Sequence, residues 1–384
     1  MNGKWNLSLQ FSLQATLVNK SLSLQKTGFM SKYFVCLFII MAACKKDSGP
    51  DATPIDKNGE ILFISRRVLN SADWQMVLMN ADGTNQRTVS NVLVRCAPPV
   101  LSNSRKKIAF TTLDPDFNYV LYVIDIDGQN QKVLSKGKEY CGSPSWSPDD
   151  SKIVFVKNES NTGGANDIYT INVDGSNEIR LTTQFNNFSP VYLPNYNSII
   201  FSSSEGAWAG IYKIDADGGN RQLLTPKNKS FGDPKVSPNG KNIAITSGDM
   251  NGSQIFVMNP DGSELKQLTF TVSSKYYDTG FPRDGNCNPV WAPEGNKLAY
   301  VSFENGSPDI FVINANGKGN KRLTDTPLRD ENPCWTEDGN HIFFSSNRNL
   351  NLSAEIYIMK SQGQSQTPLT GYIADDIYPT FINK

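Results

Sequence analysis

The chain has 384 residues, and its 37 Lys and Arg residues balance its 37 Asp and Glu residues. A neutral protein lacks the positive charge that binds phosphate backbones, so we exclude nucleic acid as a partner. Its single histidine, His341, excludes a metal site built from several imidazoles.

A short apolar segment, residues 33–43, follows the cationic start Met30-Ser31-Lys32 and ends just before Cys44. It is shorter than the roughly 20 residues that a membrane-spanning helix needs. The arrangement resembles a bacterial lipoprotein signal, which implies cleavage before Cys44 and lipidation of its thiol. We therefore expect residues 1–29 to be an over-extended start, 30–43 the signal peptide, 44–58 a lipid-anchored linker, and 59–384 the folded domain.

The residues after Cys44 are Lys45, Lys46 and Asp47. An aspartate directly after the lipidated cysteine would resemble an inner-membrane retention signal, and it is absent here. The Lys-Lys-Asp run resembles surface-export tags of Bacteroidota lipoproteins. We expect an outer-membrane lipoprotein that faces either the periplasm or the cell surface and contacts the membrane only through its lipid.

A repeat of about 45 residues fills the rest of the chain. Each copy opens on a Pro-x-Trp segment or a weaker relative of it, followed by an apolar strand, a second strand ending in Asp-Gly, and a short element ending in Leu-Thr. Asp-Gly between alternating apolar runs predicts a hairpin, because Gly accepts positive φ at low cost. Four strands in this length are typical of one β-propeller blade. The opening prolines are Pro99, Pro144, Pro190, Pro234, Pro289 and Pro333.

The repeat is incomplete at both ends of the chain. Residues 60–90 supply three strands without the Pro-x-Trp strand, and residues 377–382 supply that strand alone. We therefore predict an all-β fold, a seven-bladed β-propeller closed by pairing of the N- and C-terminal half-blades, which removes exposed edges. The seven predicted turns begin at Asp82, Asp127, Asp174, Asp217, Asp261, Asn316 and Gln362.

These repeats resemble the WD40-like PD40 repeats of TolB-type propellers. The resemblance rests on residues 143–149, 167–169, 174–175 and 180–182 with their counterparts, and it covers residues 60–382. It implies a binding role. TolB itself has six blades and a preceding α/β domain, so the resemblance concerns the propeller.

We expect a non-enzymatic, monomeric envelope lipoprotein whose propeller binds a protein or a saccharide. One alternative is a glycan-active lyase or hydrolase that uses carboxylates or tyrosines, and another is a TolB-like subunit of an envelope transport or integrity machine. Seven-bladed oligogalacturonate lyases also look similar, but that resemblance implies several histidine metal ligands, which His341 alone cannot supply. We expect no cofactor and recognise no catalytic constellation.

Several recurring residues are expected to serve the fold. Trp146, Trp291 and Trp335 share one position in the repeat and should pack between blades. His341 stands where other blades carry lysine, so we predict a surface residue at the entry of a strand. A set of acidic residues in the first turn should bond nearby backbone groups. These are Asp149, Asp150, Glu294, Glu337 and Asp338.

The largest departure from the repeat is residues 270–286, about ten residues longer than their counterparts. In the usual blade order this segment shares one face with the loops between second and third strands, which include residues 113–118, 158–166 and 204–210. We call that end of the propeller the loop face. Exposed aromatic and arginine side chains are typical interface anchors. The candidate binding residues on it are Trp208, Tyr276, Tyr277, Asp278, Phe281 and Arg283.

A second candidate site is the mouth of the central channel. The residues just before the inner-strand prolines should ring the axis, where their oxygen atoms suit a cation such as calcium or a small polar ligand. A water-filled polar rim is the alternative. These residues are Ser143, Ser189, Asp233, Asn288 and Asn332.

Four cysteines fall in the propeller near inner-strand prolines of neighbouring blades. Export to an oxidising compartment favours disulfides. The candidate bonds are Cys96–Cys141 and Cys287–Cys334; alternatively, the four residues are small apolar filler near the axis.

Overall fold

In the described part of the chain, twenty-eight strands form seven antiparallel sheets of four strands each. The computed structural model describes residues 59–66, 74–94, 97–138, 140–158, 165–194, 197–249, 252–270, 285–349, 353–371 and 375–383. Within these ranges no helix is both long and apolar enough to cross a membrane. The predicted signal peptide, Cys44 and the linker lie outside the described residues.

Each sheet is one blade, and in six of the seven blades the strands follow one another along the chain from the inner to the outer edge. Blades 2 to 4 consist of β4 (Val100–Leu101), β5 (Lys107–Leu113), β6 (Tyr119–Asp125), β7 (Lys132–Gly137), β8 (Tyr140–Trp146), β9 (Lys152–Asn158), β10 (Asp167–Asn172), β11 (Ile179–Arg180), β12 (Asn186–Tyr192), β13 (Ser198–Glu205), β14 (Trp208–Asp215) and β15 (Gln222–Leu223). Blades 5 to 7 consist of β16 (Gly232–Val236), β17 (Ile243–Asp249), β18 (Gly252–Met258), β19 (Lys266–Gln267), β20 (Asn286–Trp291), β21 (Lys297–Ser302), β22 (Asp309–Asn314), β23 (Lys321–Arg322), β24 (Asp330–Trp335), β25 (His341–Ser346), β26 (Glu355–Lys360) and β27 (Thr367–Pro368).

Blade 1 joins the two ends of the chain. Its order is β28 (Asp376–Ile382), β1 (Glu60–Ser65), β2 (Gln75–Asn80) and β3 (Arg87–Thr88). The C-terminal strand pairs antiparallel with the first strand, with Glu60 opposite Ile382 and Ser65 opposite Asp376. The predicted closure by two half-blades is therefore confirmed, and so is the count of seven blades.

The predicted turns are also present. The glycine of each Asp-Gly, Asn-Gly or Gln-Gly pair has positive φ, from 79° at Gly317 to 94° at Gly363. In blade 3, Asp174 accepts a hydrogen bond from the backbone nitrogen of Ser176 at 2.9 Å. The aspartate therefore fixes the turn while the glycine supplies the backbone angle.

The Asp-Ile-Tyr and Arg-Leu-Thr segments of the repeat contact each other through hydrogen bonds. Thr182 Oγ1 accepts a hydrogen bond from the backbone nitrogen of Ile168 and donates one to Asp167, both at 2.9 Å. Arg180 donates to the second carboxylate oxygen of Asp167. The Asp-Ile-Tyr and Arg-Leu-Thr segments thus form a polar clasp that ties the third strand of the blade to the fourth.

The apolar core consists of clusters between adjacent blades, and the recurring tryptophans join them. Trp146 donates its indole hydrogen to the carbonyl of Val100 in the preceding blade at 3.0 Å. Trp291 and Trp335 make the same bond at 2.8 and 3.2 Å, and all three are at most 7% exposed. The prediction that they pack between blades is confirmed.

Candidate functional site

The loop face carries most of the exposed aromatic side chains. Among the described residues, eight large apolar side chains are exposed. Val133 and Ile179 lie on the outer strands β7 and β11. Tyr378 lies on the inner strand β28. Phe188 also lies on an inner strand, β12. The remaining four lie in loops or strand ends of the loop face: Phe117, Phe185, Trp208 and Phe270. Such a concentration on one end is typical of an interaction surface.

Trp208, which the sequence predicts as a binding residue, is 47% exposed at the start of β14. It pairs with Glu205 across a tight turn, in which Gly206 has a φ of 78°. This hairpin holds the indole at the tip of blade 4. A rigid strand end costs less entropy on binding than a mobile loop would.

Phe117 and Phe185 have positive φ, 61° and 62°, although both carry bulky side chains. This conformation costs about 1–3 kcal/mol per residue and is concentrated at ligand-binding sites. Asp114 fixes the Phe117 turn by accepting hydrogen bonds from the backbone nitrogens of Asp116 and Asn118 at 3.0 and 2.9 Å. Those bonds, chiefly the one from Asn118, lower the pKa of Asp114.

Asn187 supports Phe185 in a different way. Its side-chain nitrogen donates to the carbonyls of Gln184 and Phe185 at 2.9 and 3.3 Å. The guanidinium of Arg221 lies over the Phe185 ring, 5.2 Å from its centroid. Two exposed phenyl rings are thus held in strained backbone by polar supports. Sequence reasoning missed both, because neither belongs to the repeat motif.

The long loop that the sequence singles out starts and ends on the same face. Phe270 at its start is 73% exposed. The rest, including Tyr276, Tyr277, Asp278, Phe281 and Arg283, lies outside the described residues. Gly285 at its end forms a parallel bridge with Ser253. These five residues therefore stay predictions.

The predicted channel residues share one backbone feature. Each has positive φ, and each lies at a register shift between the inner strand and its neighbour, which marks a β-bulge. Tyr378 has the same geometry in blade 1, with a φ of 55°. Tyr378 could have been found from the sequence, because Pro379 follows it just as an inner-strand proline follows each predicted channel residue. The five predicted members have φ values of 52° (Ser143), 47° (Ser189), 48° (Asp233), 51° (Asn288) and 55° (Asn332).

Hydrogen bonds link some of these bulges to each other and to their own blades. Ser189 donates to Asp233 of the next blade at 3.1 Å. Asn332 donates to the hydroxyl of Ser345 at 3.3 Å. Within the described ranges no three Asp, Glu, His or Cys side chains are grouped as metal ligands. A channel-bound cation stays a prediction.

Carboxylates of the inner strands raise the pKa of buried groups near the channel. Burial raises the pKa of Cys287 to about 12, and the carboxylates of Glu331 and Asp233 add to that shift. Burial and Glu331 also raise the pKa of Tyr378. Both groups therefore stay protonated at neutral pH and act as neutral polar or apolar surface.

The described cysteines are free thiols, and the predicted Cys96–Cys141 bond stays a prediction. Cys141 is a free, buried thiol, and burial raises its pKa to about 12; its proposed partner Cys96 lies outside the described residues. Cys287 and Cys334 are also free. Cys287 packs in the cluster between blades 6 and 7, whereas Cys334 packs between blades 7 and 1, where the Phe381 backbone nitrogen donates to its sulfur at 3.4 Å. The three thiols behave as the apolar filler of the alternative interpretation.

The prediction that His341 lies on the surface is wrong. His341 is only 7% exposed, and burial lowers the pKa of its imidazole. It pairs with Lys360 across the sheet, and its backbone nitrogen donates to Thr336 Oγ1 at 3.0 Å. The same position of the repeat is therefore buried at His341 in blade 7 and exposed at Lys152 in blade 3.

Three of the first-turn acids, Asp149, Glu294 and Asp338, accept hydrogen bonds within their own turns. Asp149 accepts hydrogen bonds from Ser147 and from the backbone of Ser151, which lower its pKa. Asp150 reaches the preceding blade, where the backbone nitrogens of Asn103 and Ser104 donate at 2.7 and 2.8 Å. These hydrogen bonds lower the pKa of Asp150 as well, against the opposing effect of burial. Asp338 accepts from Thr336 and Asn340, and Glu294 accepts from Asn296.

A match to a known family agrees with this geometry. The family described as the TolB beta propeller domain, PD40, matches residues 58–278 and 279–381. The chain belongs to the PD40 family. Its membership confirms the resemblance seen in the repeats.

The PD40 chain is also similar to individual proteins. The Tol-Pal system protein TolB of Anaeromyxobacter dehalogenans is 30% identical over 130 residues, 34% of this chain and 27% of that protein. The chain thus matches about a quarter of that relative's length.

Two solved structures share the fold. TolB from Acinetobacter baumannii is 20% identical, with a TM-score of 0.52 over 85% of this chain and 83% of that one. An oligogalacturonate lyase in complex with manganese is 15% identical, with a TM-score of 0.57 over 75% and 82% of the two chains. Identities this low show the propeller fold alone.

Proposed function

We propose that this PD40 propeller is a non-enzymatic binding protein of the cell envelope, and that its loop face binds a protein partner. The observation that carries the proposal is the exposed aromatic set Phe117, Phe185, Trp208 and Phe270, gathered on one end of the molecule. Aromatic side chains supply much of the binding energy at protein interfaces because they bury large rigid surfaces.

The envelope location is supported by the relatives and by the N-terminal segment. A protein that shares 30% identity over part of this chain is named a Tol-Pal system protein. The lipoprotein signal predicted before Cys44 adds an anchor in the outer membrane. A TolB-like role in an envelope machine is the finer form of the proposal.

The non-enzymatic character is supported by the chemistry of the described site. Asp149 and Asp338 are engaged in turns, Asp150 bonds to the preceding blade, and the single histidine is buried in blade 7. The strained phenyl-bearing turns present Phe117 and Phe185, supported by Asp114 and Asn187. These groups suit contact better than bond cleavage.

The test is affinity capture from solubilised envelopes with the lipidated chain as bait. The loop-face variant carries Phe117→Ser and Trp208→Ser, and the matched control carries Val133→Ser and Ile179→Ser. All four residues are exposed, but the control pair lies on outer strands. A third bait lacks residues 276–283.

We expect the wild type and the control to retain the same protein, and the loop-face variant to lose at least about tenfold of it, because two aromatic anchors are removed. Retention of the same protein by all baits would refute the proposal. Equal loss from the control would also refute it, because binding would then not reside on the loop face.

A further inference from the structure

A cavity lined by both apolar and polar side chains opens on the loop face where blades 7 and 1 meet, away from the aromatic set of blades 2 to 5. Its volume is about 240 Å³. A water molecule occupies about 30 Å³ in the liquid, so the cavity has room for about eight waters or one sugar ring. We call it the seam pocket; its walls include Trp74, Arg329, Glu331, Asn347, Asp375 and Ile377.

Two ion pairs border the seam pocket and leave it without net charge. Arg329 donates to Glu331 from two nitrogens, at 2.8 and 3.3 Å. Asp375 is paired with Arg66 from the other end of the chain, and its second oxygen accepts from the backbone of Ala354 at 2.9 Å. These pairs hold both carboxylates in place before any ligand arrives.

The pocket also holds hydrogen-bond donors that have no partner within the described residues. The indole nitrogen of Trp74 makes no hydrogen bond there, unlike those of Trp146, Trp291 and Trp335. The side-chain oxygen of Asn347 accepts from the backbone nitrogen of Arg329 at 2.8 Å, and this leaves its amide nitrogen as a donor.

Trp74 supplies an aromatic surface as well as a donor. It is half-buried and directly precedes β2, the third strand of blade 1. The Arg66 guanidinium lies 5.5 Å from the centroid of its ring. Arg66 is tied to Asp375, so the ring is held from one side. Ile377 adds an apolar wall, since it packs against the core cluster of blades 1 and 2.

Fixed donors next to fixed acceptors suit hydroxyl groups, because each hydroxyl both donates and accepts. A neutral pocket offers no surplus charge to offset the desolvation of an ionic ligand. An aromatic ring with a few convergent polar groups is the usual composition of a small-ligand site. We propose that the seam pocket binds one neutral sugar ring. This goes beyond the proposed protein-binding function and involves different residues.

The test is a titration of the isotope-labelled protein, followed by the indole ¹H–¹⁵N resonance of Trp74. Trp74→Phe assigns that resonance. The probes are the methyl glycosides of glucose, galactose and N-acetylglucosamine, with galacturonate as the charged analogue and N-acetyl-glycyl-serine amide as a peptide probe. Variants Glu331→Gln and Asn347→Ala test the pocket, and Trp208→Phe is the control on the protein-binding surface.

We expect at least one neutral glycoside to shift the Trp74 resonance saturably with a dissociation constant in the millimolar range or below. Galacturonate should bind at least about tenfold more weakly, and Glu331→Gln and Asn347→Ala should each weaken the glycoside about tenfold. Trp208→Phe should leave the affinity unchanged.

Absence of any glycoside-dependent shift at about 50 mM would overturn the proposal. So would tighter binding of galacturonate or of the peptide probe, or glycoside binding that Glu331→Gln and Asn347→Ala leave intact. Because the protein-capture experiment uses Phe117 and Trp208, failure of either proposal is visible without affecting the other.

Discussion

Oδ2 of Asp309 lies 2.7 Å from Nη2 of Arg322, and the aspartate side chain is fully buried. This is the blade 6 copy of the clasp formed by Asp167 and Arg180. Burial nevertheless raises the pKa of Asp309 to about 6, against the lowering effect of Arg322. One copy of a fold motif therefore titrates close to neutral pH.

The raised pKa makes stability depend on pH in a defined direction. Between about pH 4 and 6 the folded state holds the Asp309 proton more tightly than the unfolded state does, so this contribution to the free energy of unfolding falls as pH rises. The free energy of unfolding of the wild type minus that of Asp309→Asn should therefore fall by on the order of 1 kcal/mol over that window. The difference should stay constant above pH ~7.

Urea denaturation at several pH values measures this difference. Asp149→Asn serves as a control of opposite sign, because hydrogen bonds chiefly from Ser147 lower the pKa of Asp149. Its stabilising contribution is lost as pH falls below about 4. A pH-independent difference for Asp309→Asn would contradict the account of its titration.

The hydrogen bond from Trp146 to the preceding blade predicts that Trp146→Phe and Trp208→Phe differ strongly in their effect on stability. Trp146→Phe removes the hydrogen bond to Val100 and leaves space at a site that is 6% exposed, so we expect a loss of about 2 kcal/mol. Trp208→Phe alters a side chain that is 47% exposed and should change stability by less than about 0.5 kcal/mol. Equal losses in urea denaturation would show that the indole bond does not hold the blades together.

Gly285 anchors the end of the long loop, and its backbone requires glycine. Its φ is 145°, and an added Cβ would lie 2.2 Å from the backbone nitrogen of Ser253. Gly285→Ala should therefore destabilise the protein by about 2 kcal/mol or more. At Gly248 an added Cβ meets nothing within 4 Å, so Gly248→Ala should be nearly neutral. Indistinguishable melting temperatures for the two variants would contradict this reading.

The free thiols predict slow alkylation of the native protein. Burial raises the pKa of Cys141 and of Cys287 to about 12, so neither forms appreciable thiolate at pH 8. Mass spectrometry after iodoacetamide treatment should find Cys141, Cys287 and Cys334 unmodified in the native state and modified in about 6 M guanidinium chloride. A Cys287–Cys334 cross-linked peptide without reduction would contradict the structure.

Much of the fold is predictable because each repeat contains the residues that form its own turns and its own packing contacts. Gly175 permits the turn that Asp174 fixes, and Trp146 is placed between blades by its position in the repeat. The two half-blades reveal closure, since an unpaired β1 would expose an edge. These features depend on short sequence separations or on counting copies.

The errors concern contacts that the repeat does not encode. His341 occupies a position that is lysine elsewhere, but the packing of blade 7 buries it beside Lys360. Cys287 and Cys334 lie on opposite sides of their bulges, so they enter different blade interfaces. The strained Phe117 and Phe185 turns depend on polar supports that only the three-dimensional arrangement identifies.

The candidate site was predictable as a face and less so as a set of residues. Blade order alone assigns Trp208 and the long loop to the loop face. Phe117 and Phe185 required the structure, because a phenylalanine in a repeat sequence is more often part of the core.

Photo-crosslinking in cells tests the central claim most directly. A photoreactive amino acid replaces Trp208, Phe117 or Phe185 on the loop face, or Val133 or Ile179 on the outer strands, with every position exposed. We predict that one protein cross-links from the three loop-face positions and not from the two outer-strand positions. Cross-linking from the outer strands alone, or no protein adduct from any loop-face position, would contradict the claim that this face binds a protein.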